Sequence, residues 1–534
     1  MNEELPIDRT VTSAGALYYH HRDALLTIGR YRGRVTNVIG RPDARLKGNE
    51  ERIRGQLAAL IAASTSRAVD ATGITLIFPQ RIEYEVFPRT FYCISCNKTW
   101  VFDSQREFVA RLKAPGTLFS CCARRQIVQA GQVHCCPCGN IEPLHPPRKC
   151  HDVLPRLKRP VLADPASWFW ECERCHDTVE RLAAHYCGKC RRGQPMVLKP
   201  AEASGVTVPL SRKFIEYGRD EPIHLVSHFG WENEDLPSLN ELKSSPALKY
   251  LGEAQVQDLF RSALSQRTDL LMASKFGLPP AVLAKLKDDV LGFESLKSLT
   301  TSPSNNQAGK RVGVSTIWHV DGITIADAVY AYQVTYEKEG VVTQAFESKP
   351  GEFHVYMGES PSEGVLFELD KQRLADWLVA RRLLASPPED PARFFAQIAF
   401  DPNFAPVAQE VSRLLHTLSH AVMKEAPIFC GLDLANLSEV VLPAIPAFII
   451  YNTTASTLGG MRTLFDNAVS QWMIAAAEET ASCSHDPLCF DDAQAACSAC
   501  LLLPEICCAQ FNQNLDRKLL IGEDGRPGYW EGLA

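Results

Sequence analysis

No stretch of this 534-residue chain is apolar for long enough to cross a membrane. The best candidate, Val440–Tyr451, is short and interrupted by Pro443 and Pro446. The first residues, MNEELPIDRT, are charged and hold no apolar signal core, so a cytoplasmic protein is expected. Charge of one sign is scarce too. Lys and Arg number 56 against 62 Asp and Glu, and the resulting −6 excludes a global field that steers nucleic acid. Nucleotide-hydrolysis signatures are missing: there is no GxxxxGKS/T loop, Asp-Glu box or helicase arginine motif. Neither an HxK pair nor a well-spaced carboxylate nuclease box is present, so no enzymatic activity is expected. A hydrophobic fraction of 46% and a charged fraction of 22% exclude disordered and collagen-like chains.

What remains is a large globular chain of mixed α+β, multidomain character. At about 150 residues per domain the length suggests three or four domains, and the pattern divides into five regions. Residues 1–90 read as a mixed lead-in, with strands at Thr75–Phe78 and Glu83–Phe87 and a helix over 50–70. Residues 91–200 are cysteine-rich and close on a hinge between Pro195 and Pro209. Residues 201–310 read as mainly helical, with helices at about 253–275 and 280–298 and a polar loop, Thr300–Lys310. Residues 311–400 form a β-rich connector, with strands at Ala328–Val334, His354–Met357 and Gly364–Leu369. Residues 401–534 read as an α/β module. Apolar residues at 411, 414, 415, 418 and 422 make a helical stripe, and Val440–Tyr451 reads as one buried strand. A glycine turn then leads to an amphipathic helix running from Met461 to Met473. No internal repeat of 20–50 residues is evident.

The cysteines are the strongest signal. Of the 19, twelve lie between Cys93 and Cys190, six between Cys483 and Cys508, and Cys430 stands alone. Clustered CxxC pairs without a secretory signal read as metal ligands and not as disulfides. Cys172-x2-Cys175-x11-Cys187-x2-Cys190 has the spacing of one closed, structural four-thiolate zinc site; His176 and His185 sit close enough to substitute, but read as histidines that support the ligands or lie on the surface. Cys93 and Cys96 open a second site. Cys121 and Cys122 are adjacent where a knuckle wants two residues between ligands, so one ligates and the other packs. A third group, His134, Cys135, Cys136 and Cys138 followed by Cys150 and His151, holds more candidate ligands than one zinc needs. Spacing does not say which of these pair. At the other end Cys497 and Cys500 form a knuckle needing two partners from Cys483, Cys489, Cys507 and Cys508. Two to four structural zinc ions are expected, in zinc-ribbon-like N-terminal modules and a four-cysteine C-terminal site.

Three further features carry alternatives. Residues 93–200 hold 17 Lys and Arg against nine Asp and Glu, though ionised thiolates offset much of that excess. Arg124, Arg125, Arg156, Lys158, Arg159, Arg191 and Arg192 are either a local phosphate-binding patch or an ordinary solvated surface. His416 and His420 lie one helical turn apart, but Thr417 stands where a zinc-protease motif needs Glu. The helical wheel puts both opposite the apolar stripe, where they pack an interface or meet phosphate. Thr457-Leu-Gly-Gly460 either offers N–H groups of Gly459 and Gly460 to a phosphate or makes a tight strand-to-helix turn.

Five segments occur in order: LLHTLSHAVMKE (414–425), TLGGMR (457–462), CSHDPLC (483–489), ACSACLLLPE (496–505) and NQNLDR (512–517). With SEGVLFELD (362–370) and the helix around Trp377, they resemble the C-terminal module of DrmB-like proteins of DISARM antiphage systems. The same module is similar to the zinc-binding C-terminus of MrfA-type DNA-repair helicases. The resemblance covers roughly residues 360–522 and departs at the start, where a Gly-rich opening is matched only loosely by Thr12–Ala16. It implies zinc ligation by Cys489, Cys497, Cys500 and Cys508, with Cys483 in reserve. It also implies a helicase-domain partner, DNA binding through that complex and an antiviral defence role. The competing functions are a nuclease or other hydrolase with a site spread across domains, and a scaffold that makes no DNA contact.

Overall fold

The computed structural model describes residues 8–10, 17–41, 50–114, 118–124, 126–147, 150–162, 164–190, 195–201, 206–217, 221–231, 234, 238–277, 280–297, 300–334, 341–398, 401–454, 459–492, 494–504, 507–508, 510, 512–523 and 525–531. Two compact units emerge: residues 1–212 with 328–358, and residues 213–327 with 359–534. Both mix helices with strands, as the composition suggested.

In the first unit, Tyr31–Arg41 and Ile74–Val86 pair antiparallel over nearly their whole length. The two short strands expected at 75–78 and 83–87 are thus one continuous strand. A Cβ on Gly40 would lie 2.1 Å from the carbonyl oxygen of Phe78, so only glycine fits that crossing. The helix Glu50–Thr65 buries Ile53, Leu57 and Ile61. Phe353–Tyr356 runs parallel to Ile74–Ile77 in the same sheet.

The cysteine-rich region folds as three small three-stranded antiparallel sheets. The first holds Thr90–Cys93, Thr99–Val101 and Ile127–Gln129. The second holds Gln132–Cys135, Ile141–Pro143 and Val197–Pro200, and the third holds Arg156–Lys158, Phe169–Glu171 and Thr178–Arg181. Each has an aromatic or sulfur-rich core too small to stand alone. Trp168 and Trp170 pack with Leu157 and Leu182 in one, and Phe91, Phe102 and Phe108 in another.

In the second unit the helices Glu253–Phe276 and Pro280–Lys297 match the periodicity. The expected loop at 300–310 does not occur. Pro303–Arg311 is a helix with proline in its first turn, and its polar side chains serve neighbouring backbone. Asn306 accepts from the Ile317 N–H at 2.8 Å, and Asn305 donates to the Phe465 carbonyl at 2.8 Å. Val440–Tyr451 is likewise two strands and not one: Leu437–Leu442 and Ala447–Asn452 pair antiparallel around Pro443 and Pro446. Proline cannot donate to a ladder, which places the turn there. Ala447–Tyr451 also pairs antiparallel with Gly364–Glu368.

The long helix Ala405–Cys430 crosses this sheet. Leu414, Leu415, Leu418 and Val422 pack in one cluster with Phe367, Phe448 and Trp472. The Trp472 indole donates to the Val422 carbonyl at 2.7 Å, satisfying its one buried polar group. Two helices, Gly460–Asn467 and Val469–Ala481, follow where the sequence suggested one.

Candidate metal centres

The same turn recurs three times among the small sheets. Cys93 and Cys96, Cys136 and Cys138, and Cys172 and Cys175 each sit at the hairpin between two strands. After the second cysteine comes a residue in the left-handed region: Asn97 (φ 60°), Gly139 (φ 88°) and His176 (φ 60°). Its N–H donates back to the carbonyl of the first cysteine, at 2.9, 3.0 and 3.0 Å respectively. The turn folds both thiols to one side. This repeat escaped the sequence because it consists of backbone geometry, and cysteine is the only residue type the three turns share.

Among the described residues, four sulfur-rich groups of donor atoms converge. Cys93, Cys96, Cys121 and Cys122 form one; Cys136, Cys138, Cys187 and Cys190 a second; Cys150, His151, Cys172 and Cys175 a third; Cys483, Cys489, Cys497 and Cys500 a fourth. Sulfur–sulfur distances test the fit. Cys93 to Cys122 is 3.8 Å, Cys136 to Cys190 3.9 Å, Cys138 to Cys187 3.7 Å, Cys150 to Cys175 3.8 Å and Cys489 to Cys500 3.7 Å. A disulfide needs about 2.05 Å. A tetrahedron with Zn–S bonds of about 2.3 Å has edges of about 3.8 Å. The thiols are spaced as ligands around a common centre.

Their protonation is prepared by the backbone. Burial pushes the Cys93, Cys187 and Cys497 thiols up, but amide N–H groups bring each down to about 6: those two and three residues onward in every case, led at Cys93 by the Gln126 amide. At Cys172 the Cys175 amide is the leading influence, again to about 6. In all four, the first thiol of a CxxC pair is stabilised as the thiolate, the form that binds metal.

This grouping revises the ligand sets read from spacing. Cys172 and Cys175 do not share a centre with Cys187 and Cys190. Thr178–Arg181 is the last strand of the third sheet; beyond it the chain leaves that sheet, and Cys187 and Cys190 close on the Cys136–Cys138 turn. Cys150 and His151 complete the third group, with His151 Nδ1 at 3.1 Å from Cys150 and 3.6 Å from Cys172. Both Cys121 and Cys122 reach their centre, 3.9 Å apart. Cys135 instead faces the interior from its strand, its thiol pushed up to about 12 by burial. His134 bonds the Leu182 carbonyl at 2.9 Å, while His185 lies between Glu142 and Glu180. In the C-terminal group Cys483 takes the place expected for Cys508, at 3.5 Å from Cys497. Cys507 donates to the Leu434 carbonyl at 3.1 Å.

His416 and His420 do not form an exposed face. Their relative exposures are 1% and 0%, because the helix is buried all round at that level. Glu439, from the strand Leu437–Leu442, lies 3.2 Å from His416 and 3.3 Å from His420, and Cys508 lies 3.1 Å from His416. Burial pushes both imidazoles down, but the Glu439 carboxylate outweighs it and, with Cys508, raises them to about 9 and 10. The phosphate reading of Gly459 and Gly460 is also superseded. The Glu363 carboxylate accepts from the Gly459 N–H at 2.6 Å and the Met461 N–H at 3.1 Å, filling the helix start with the chain's own anion.

Among the described basic residues, those of the tract 156–159 are engaged locally. Arg156 pairs with Glu173, Lys158 lies 3.0 Å from Glu171, and Arg159 stacks over Tyr92 while donating to the Ile94 carbonyl. Arg124 is exposed. Arg125, Arg191 and Arg192 lie outside the described residues, as do Thr12–Ala16, Ser204 and Gly205.

Closed sulfur-rich shells of this kind, distributed along a mixed α/β chain, define a protein stapled by structural zinc. Residues 418–501 match the MrfA Zn-binding domain, and residues 35–214 match a domain of unknown function, DUF8724. A search of curated proteins finds no match to the chain. Among the described residues no helix is long and apolar enough to cross a membrane.

Proposed function

We propose that this chain is a non-catalytic, zinc-stapled subunit of a prokaryotic antiphage defence complex of the DISARM type. It partners a helicase-domain protein and helps that protein hold DNA. The observation that carries this reading is the match of residues 418–501 to the MrfA Zn-binding domain, within the longer ordered resemblance to DrmB-like proteins. The three N-terminal hairpin centres act as zinc-ribbon-like modules that present rigid surface. Saturated thiolate shells leave no open position for an activated water, which supports a role without catalysis.

A second reading, a scaffold without DNA contact, is favoured by one observation. Arg156 and Lys158 already have carboxylate partners, so the most basic tract is largely neutralised within the chain. One experiment separates the two. The chain is co-expressed with a helicase-domain protein of a DISARM-type system, and DNA affinity of the pair is measured across salt concentrations. Charge reversal of Arg156, Lys158 and Arg159 should weaken binding and flatten the salt dependence without dissociating the pair. Unchanged affinity and slope favour the scaffold; failure to form the pair refutes the helicase partnership. ATP or DNA turnover by the chain alone, abolished by a point change in it, would refute the non-catalytic role.

A further inference from the structure

The buried cluster on the long helix is unlike the four sulfur-rich centres, and of its four residues only His420 and Glu439 fall within the span that matches the MrfA Zn-binding domain. His416 and His420, four residues apart on one helix, bring their rings to a centroid distance of 4.5 Å. Glu439 reaches them from a neighbouring strand and Cys508 from the C-terminal loop. The four donor atoms all lie within 4.8 Å of one another. We propose that His416 Nε2, His420 Nε2, Glu439 Oε1 and Cys508 Sγ form a fifth metal site, closed and structural, which takes Zn2+.

Geometry supports it first. Zinc bonds of about 2.0–2.1 Å to nitrogen and oxygen and about 2.3 Å to sulfur give tetrahedral edges of about 3.3 Å for N–O and about 3.6 Å for N–S. The separations of 3.2 and 3.3 Å from the imidazoles to Glu439 match the N–O edge, whereas the 3.1 Å from His416 to Cys508 is a hydrogen-bond distance that ligation would lengthen to the N–S edge. Charge comes second. All four side chains are 2% exposed or less. A carboxylate and a thiolate in a dry core each carry a desolvation cost of several kcal/mol unless compensated, and one divalent cation can take the place of the two imidazolium charges that otherwise compensate them.

The surrounding contacts are those of a ligand shell. His420 Nδ1 donates to the Leu501 carbonyl at 3.0 Å, which fixes its tautomer and turns the Nε2 lone pair toward the centre. The Ser419 hydroxyl rests against the second Glu439 oxygen. Cys508 Sγ accepts the N–H groups of Gln510 at 3.3 Å and Asn512 at 3.4 Å. Asn512 is in turn clamped to both backbone groups of Leu503, each at 2.9 Å. The thiolate therefore receives the same backbone support as the first thiol of each knuckle. Cys508 is available for this role because Cys483, and not Cys508, completes the neighbouring four-thiol centre. Two imidazoles with one thiolate and one carboxylate form a borderline donor set that suits zinc, and four protein ligands leave no open position. The ion would tie the middle of the long helix to the sheet and to the C-terminal loop.

The test uses the full chain purified without chelators. Elemental analysis of His416→Ala, His420→Ala and Cys508→Ala should show one zinc fewer per chain than the parent. The parent's zinc X-ray absorption edge, which needs no variant to fold, provides a second reading. Five occupied sites present 16 sulfur and four nitrogen or oxygen ligands, whereas the four sulfur-rich centres alone present 15 and one. A parent spectrum at the second ratio, or unchanged zinc content in soluble His420→Ala and Cys508→Ala proteins, overturns the site. In that case the cluster is a hydrogen-bonded ion quartet. Neither result bears on the helicase partnership.

Discussion

Replacing Cys172 and Cys175 together by serine, and separately Cys187 and Cys190, discriminates between ligand sets that spacing and tertiary structure assign differently. If the four thiols shared one ion, each double variant would lose the same zinc, and the quadruple variant would lose no more than either. The structure places the pairs in separate centres, completed by Cys150 with His151 and by Cys136 with Cys138. Each double variant should therefore lose one zinc and the quadruple variant two. A structural zinc contributes an apparent binding free energy of about 10–16 kcal/mol near pH 7, and two of four ligands cannot retain it. That loss exceeds what a three-stranded sheet with a handful of buried side chains supplies. Loss of the Cys172–Cys175 turn should also expose Trp168 and Trp170, which are 6% and 2% exposed in the folded sheet. Zinc per chain by elemental analysis, with mercurial-triggered release into a chromogenic chelator, gives the count. Tryptophan emission reports the unfolding and should shift to the red in the Cys172/Cys175 variant. A quadruple variant that loses only one zinc would refute the grouping.

Three further outcomes follow from individual contacts. Cys483→Ser should release the C-terminal four-thiol zinc, whereas Cys507→Ala should keep every ion and lose about 1–3 kcal/mol of stability for its buried thiol, both read by elemental analysis and denaturant unfolding. Arg517 is 0% exposed and pairs with Asp486. Arg517→Ala should lower unfolding free energy by about 3–5 kcal/mol and Arg517→Met by clearly less, since methionine refills the volume without a charge; equal losses would contradict that account. Glu363→Ala should cost about 0.5–2 kcal/mol by leaving the N–H groups of Gly459 and Met461 without their acceptor, measured by thermal melting of the full chain.

Several features were legible in the residue order because they depend on near neighbours. Helical periodicity located Glu253–Phe276, Pro280–Lys297 and the core of Ala405–Cys430. CxxC spacing announced zinc, because two thiols three residues apart suffice to form half a site. Other errors were local ones with local causes. Pro443 and Pro446 interrupt the apolar run and turn it into a hairpin, and the polar Pro303–Arg311 segment becomes a helix because Asn305 and Asn306 find backbone partners elsewhere.

What the sequence determined by itself is thus the chemistry: soft ligands in knuckles, no phosphate-binding loop, and amphipathic helices over β-rich stretches. Only tertiary structure decided the partners. In the three N-terminal groups the second pair of ligands arrives from a separate segment, and chain order says nothing about which segment is nearest in space. Cys187 and Cys190 join Cys136 and Cys138 across some 50 residues, and Glu439 and Cys508 close over His416 and His420 from a strand and a loop. A helical wheel marks a face as polar; it cannot show that another element buries that face. The physical reason is the range of the forces. Periodicity and turn chemistry act within a few residues, while a metal shell or buried charge cluster is assembled by packing that brings distant segments within about 4 Å of one another.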